Sequence, residues 1–203
     1  MRSLANWQSG CSTKPTDWIS KMQALLNWTL EAIREEGSDF SWMEELRFDW
    51  TPLVRSAVTK MIEGQTVLIV TDDKRKWFSQ YIRNAINCPE KGRPFLPVYD
   101  MHGCFPKLHT IQDTQEIELM EDMLDISFPQ GYFLWYIGDS SYNYTKLAYR
   151  NDENFLWVMN EQVPNSLPLR ESDPLLDIKL IQLYKLFDRT VEAVLYAEVD
   201  PDA

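Results

Sequence analysis

Three short apolar runs limit what this chain can become: residues 67–70 (VLIV), 132–137 (YFLWYI) and 154–159 (NFLWVM). Each has the length of a strand. Successive side chains in a strand point to opposite faces of a sheet, so a continuous apolar run marks a strand covered on both sides. Helix-compatible stretches separate the runs. The pattern predicts parallel strands joined by right-handed crossovers, with helices on both faces, which is an α/β protein.

The remaining elements follow from spacing and punctuation. Met22, Leu25, Leu26, Leu30 and Ile33 repeat at helical intervals until Gly37. Thr51 as N-cap and Pro52 at the first position predict a second helix through Leu53, Val54, Val58 and Ile62, ending before Gly64. Strands are expected over 66–71, 95–99, 132–137 and 154–159, with a fifth near 166–170. Helices are expected over 74–86, 114–126, 141–150 and 174–198. The helix at 114–126 carries Glu116, Glu118, Glu121, Asp122 and Asp125 and reads as an acidic, solvated face.

With 203 residues the chain is long enough for one substantial core. Residues 22–203 are expected to form a single domain. Residues 1–21 differ in character, with one acid (Asp17) against three bases (Arg2, Lys14, Lys21). They are set apart as an N-terminal extension, and Met22 offers an alternative start. A formal net charge of −11 repels a phosphate backbone, which argues against direct nucleic-acid binding. Lys74, Arg75 and Lys76 are the tight basic cluster and read as a helix face. No apolar run reaches the roughly 20 residues a membrane span needs. Cys11, Cys88 and Cys104 form no CxxC pair, which fits a reducing cytoplasm.

No catalytic, cofactor or metal motif emerges. There is no GxSxG, Walker A, GxGxxG or HExxH pattern. His102, Cys104 and His109 match no zinc spacing. The loop after the first strand, TDDKRKW, has two aspartates and no glycine. Asp72 and Asp73 are expected to cap the next helix rather than cradle an anion, which a carboxylate would repel. The segment GDSSYNYT, with Ser140, Ser141 and Thr145, is the alternative place for a phosphate, or else an ordinary helix cap.

Two features suggest surfaces beyond the monomer. Five of the eight tryptophans precede the first strand. The last helix carries one broad apolar stripe (Leu176, Leu180, Leu183, Leu186, Phe187, Val191, Val194), with Ile178 and Ile181 opposite it. Such a helix is either wedged within the monomer or shared between subunits. Trp28, Ile178 and Ile181 are the candidate interface residues.

The stretches RFDWTPLV, TVLIVTDDKRKWFSQYI, RPFLPV, FLWVMNE and above all DPLLDIKLIQLYKLFD with AVLY resemble the HobA family of DnaA-associating replication-initiation proteins. The resemblance spans about residues 22–199. It implies a three-layer α/β/α fold with a parallel, flavodoxin-like sheet of about five strands, similar to sugar-isomerase (SIS-type) domains and to the enterobacterial counterpart DiaA. It also implies a cytoplasmic homotetramer, built as a dimer of dimers, that binds the N-terminal domain of the initiator DnaA. No catalytic activity or cofactor comes with it. Docking is expected at the loop edge of the sheet and in the early helices, at Trp42, Trp50, Asp72, Lys74, Arg75 and Trp77. The alternative is a SIS-type sugar-phosphate-binding protein or isomerase using Ser140, Ser141 and Thr145.

Overall fold

A computed structural model describes residues 17–200, with side chains from residue 24 onward. Most of the expected extension, with Trp7 and Cys11, lies outside the described residues. Five strands form one parallel sheet: β1 (Thr66–Thr71), β2 (Val98–Asp100), β3 (Tyr132–Gly138), β4 (Phe155–Met159) and β5 (Ser166–Leu169). Their order is β2-β1-β3-β4-β5, which is the flavodoxin-like arrangement. β1 and β3 are in register over their whole length, from Thr66 opposite Tyr132 to Thr71 opposite Ile137. Among the described residues there are seven α-helices, besides four single-turn 3-10 helices: α1 (Asp17–Glu35), α2 (Met43–Ile62), α3 (Lys76–Ile86), α4 (Met101–Cys104), α5 (Thr114–Ser127), α6 (Thr145–Tyr149) and α7 (Leu176–Leu195). None is long and apolar enough to cross a membrane.

Alternate strand residues serve two cores. Val67, Ile69, Phe133, Trp135, Phe155 and Trp157 face the layer of α1, α2, α3 and α7. Leu68, Val70, Leu134, Tyr136, Leu156 and Val158 face the layer of α4, α5 and α6. In the first core the rings of Trp50, Trp135, Phe155, Trp157 and Phe187 form a continuous cluster, the Trp135–Phe187 centroids lying 4.6 Å apart. α7 packs against α1, α2 and α3, so its broad stripe is wedged within the monomer.

Three expectations change. First, α2 does not begin at Thr51. It starts at Met43 and carries Pro52 in its interior. Proline removes one helix amide. Phe48, whose carbonyl would have accepted that bond, and Pro52 are both exposed, and the Thr51 hydroxyl donates to the Arg47 carbonyl at 2.7 Å. Burial of Met43 and Trp50 against the sheet favours continuing the helix across the break. Second, β2 covers only residues 98–100. Pro94 and Pro97 cannot donate to a ladder, and the Asn87 side chain satisfies Leu96, accepting from its amide at 2.9 Å and donating to its carbonyl at 2.8 Å. Third, α6 is five residues long rather than ten.

Candidate functional site

In a flavodoxin-like sheet ligands bind outside the carboxyl ends of the strands where the order reverses. Here that point lies between β1 and β3, at Thr71–Asp72 and Gly138–Asp139. Of the two aspartates expected to cap, Asp72 does so, its Oδ1 accepting the Arg75 amide at 3.0 Å in the turn that leads into α3, whereas Asp73 is exposed and pairs with Lys76 at 2.5 Å. The other oxygen of Asp72 accepts the Asp139 amide at 3.1 Å and the Arg75 guanidinium. The pair is fully enclosed, Asp72 at 0% and Arg75 at 3% exposure. Burial pushes the Asp72 carboxyl above its ordinary value, while Arg75 and the Asp139 amide pull it down.

The rest of the crevice is filled. A Cβ on Gly138 would stand 2.8 Å from the Tyr136 hydroxyl and 3.0 Å from Asp72 Oδ2, so glycine is needed for the close approach. The Tyr136 hydroxyl donates to the Asp139 carbonyl. The Tyr144 hydroxyl donates to the Thr71 carbonyl at 3.2 Å, and His102 Nε2 lies 2.7 Å from the same oxygen. Side chains thus occupy the space a ligand would take.

The alternative phosphate set does not assemble. Thr145 is buried and its hydroxyl donates to the Tyr142 carbonyl at 2.7 Å. Ser140 donates to the Glu161 carboxylate, and the Ser141 amide to Asp139 Oδ1 at 2.8 Å. The Ser140 and Thr145 hydroxyls and the Ser141 amide already meet acceptors, two of them carboxylates. A helix as short as α6 adds little dipole.

A polar clasp joins the first loop to the end of β5. Glu171 receives Lys74 at 2.5 Å and Arg75 at 3.3 Å, and the Asn160 side chain holds it by two bonds at 3.0 and 3.2 Å. Lys74 beside it holds the Glu171 carboxyl below its ordinary range.

The expected docking residues divide. Trp50, Asp72 and Arg75 correct the expectation of exposure. Trp50 is at 0%, inside the aromatic core, and the other two form the buried pair. Trp77 and Lys74 are exposed. Trp42 is half-buried, its indole donating to Gln182 at 3.0 Å with the Lys179 ammonium 4.7 Å from its ring. It lines a cleft of about 510 Å³ at the ends of β4 and β5, with Leu46, Arg170 and Lys179. Of the candidate interface residues, Trp28 and Ile181 pack against the core, and Trp28 lies under the Arg189 guanidinium. Ile178 is exposed, beside exposed Leu175.

Leu119, Met123 and Ile126 on α5, which no motif in the sequence marks, are exposed. Their spacing was visible, but the acids between them suggested a solvated helix.

The family model for HobA, described as a DNA replication regulator, matches residues 22–201. The DNA replication regulator protein HobA of Helicobacter pylori is 28% identical over 186 residues, covering 88% of this chain and 99% of that protein. Two solved structures from the same organism share the fold. The HobA–DnaA (domain I–II) complex superposes with a TM-score of 0.70 at 28% identity, over 85% of this chain and 96% of that one. The crystal structure of HobA gives a TM-score of 0.68 at 27% identity over the same shares. With the matched segment spanning most of its length and the flavodoxin-like sheet in place, the chain belongs to the HobA family of DNA replication regulators.

Proposed function

We propose that this protein is a non-enzymatic cytoplasmic adaptor that binds the N-terminal domain of DnaA and, as a homotetramer, promotes DnaA assembly at the chromosomal origin. The observation that carries this reading is the likeness to the H. pylori HobA–DnaA complex, at a TM-score of 0.70. The filled crevice supports it: Asp72, Arg75, Tyr136 and Tyr144 close the switch point, where a flavodoxin-like sheet would hold a small molecule. The acidic charge keeps the protein off DNA, so its action at an origin runs through DnaA.

Trp42, Lys74 and Trp77 remain the contacts assigned to DnaA. Asp72, Arg75 and Glu171 act by fixing the loop that carries Lys74. Exposed Ile178, with Leu175 beside it, is assigned to contact between copies. Several DnaA domains held on one closed assembly would experience a raised local concentration without any new DNA contact.

Size exclusion with in-line light scattering tests this, on the chain alone and mixed with the DnaA N-terminal domain. A tetramer that gains mass in steps of that domain is the expected result. A monomer, or a tetramer whose mass DnaA leaves unchanged, overturns the reading.

A further inference from the structure

The outer face of α5 is apolar in a place where nothing in the described structure covers it. Leu119, Met123 and Ile126 are 60%, 43% and 82% exposed. At 3.6 residues per turn they fall within an arc of about 60°. Ile117 and Leu124, the buried residues of the helix, lie on the opposite side. Single exposed apolar residues are ordinary, but three aligned on one helix face form a contact stripe.

The rim of the stripe indicates what could cover it. α5 contains five acids and no base. Glu118 and Glu121 face away from the stripe and pair with Arg150. Glu116 flanks one side, its carboxylate accepting the Gln112 amide at 2.7 Å. Asp122 flanks the other and has no ion-pair partner among the described residues. A second copy packed face to face would set acids against acids, in a chain of net charge −11. An anionic membrane surface would meet the same repulsion.

We propose that the outer face of α5 docks an amphipathic helix whose apolar ridge packs along Leu119, Met123 and Ile126 and whose lysines or arginines meet Glu116 and Asp122. Two helices packed ridge into groove give this contact, and anchors three and four residues apart give it register. The site is separate from the loop edge assigned to DnaA and does not rest on that assignment.

The test is a fluorescence-anisotropy titration of the full chain into a labelled Leu/Lys amphipathic peptide of about 18 residues, long enough to hold a helix. The control is the same peptide with glutamate replacing lysine. The basic peptide is expected to bind and the acidic one not. The variant Leu119→Ser, Met123→Ser, Ile126→Ser is expected to weaken binding roughly tenfold or more, and Asp122→Lys roughly threefold. All four positions are exposed, and a thermal melt checks that each variant is folded. Ile126→Ser alone replaces the triple variant if the latter melts early. Equal affinity of wild type and stripe variants shows only general attraction to an acidic protein and overturns the proposal. Lower oligomer mass in the triple variant assigns the face to a second copy and also overturns it. Loss of mass gain with the DnaA N-terminal domain makes α5 the DnaA surface and overturns a separate site.

Discussion

The two faces of the sheet are built from the same strands but are finished differently. On one side four helices enclose Trp50, Trp135, Phe155, Trp157 and Phe187, all at 1% exposure or less. On the other, α5 buries Ile117 and Leu124 and turns Leu119, Met123 and Ile126 outward. Both faces contain closed cores, so the contrast is not between folded and loose. It lies in the outermost layer, where the first face spreads its exposed apolar residues over three helices (Phe48 and Ile62 on α2, Trp77 on α3, Ile178 on α7) and the second aligns three of them on one face of a single helix. Apolar surface that the fold does not need is available for contact with another chain.

Breaking the enclosed side should have the largest effect. Trp157→Ala removes a ring that touches Trp50, Trp135 and Phe155, and should lower stability by about 3–5 kcal/mol. A shift of the urea midpoint at unchanged slope would show it; a loss below about 1 kcal/mol would mean that the cluster repacks.

Next comes the plug between the layers. Asp72→Ala leaves Arg75 buried without its main partner and should cost about 3 kcal/mol. Rescue by Arg75→Met in the double variant would confirm that the stranded charge, rather than lost packing, causes the damage.

Leu124→Ala on the thinner side should cost about 2 kcal/mol, at the low end for a buried leucine, because α5 can settle inward over the gap. A loss as large as that of Trp157→Ala would erase the contrast between the two faces.

The clasp at Glu171 should matter less. Its carboxyl sits below the usual value because of Lys74, so it favours the folded state above the unfolded value of 4.5. That contribution is lost as pH falls through the depressed folded value. Glu171→Gln should therefore cost about 1 kcal/mol or less at pH 7 and nothing at strongly acid pH. A gap between variant and wild type that widens on acidification would contradict this sign.

Ile126→Ser should leave stability within about 0.5 kcal/mol of wild type, because the side chain is 82% exposed. A larger loss would show that the outer stripe is part of the monomer's own core.

Local chemistry made much of this legible. The apolar runs located β1, β3 and β4, and Asp72 was read correctly as a cap because an aspartate after a buried strand has one obvious set of donors, the amides of the next turn. Pro52 was ambiguous, since the same residue opens a helix or is tolerated on its wet face, and only burial of Met43 and Trp50 decided between them. Trp50, Asp72 and Arg75 looked available for docking because sequence carries no information on depth. A tryptophan in an early helix and a charged loop residue read alike whether they face solvent or the sheet.

The sequence by itself determined the alternation of strand and helix, the parallel sheet and the acidic charge balance, because these follow from side-chain period and summed charge. Tertiary structure alone decided that the switch-point crevice is filled and that a buried Asp72–Arg75 pair lies in it. It also decided which apolar residues stay outside. Those outcomes depend on how far apart in space distant residues such as Asp72 and Asp139, or Lys74 and Glu171, come to rest, and packing sets those distances.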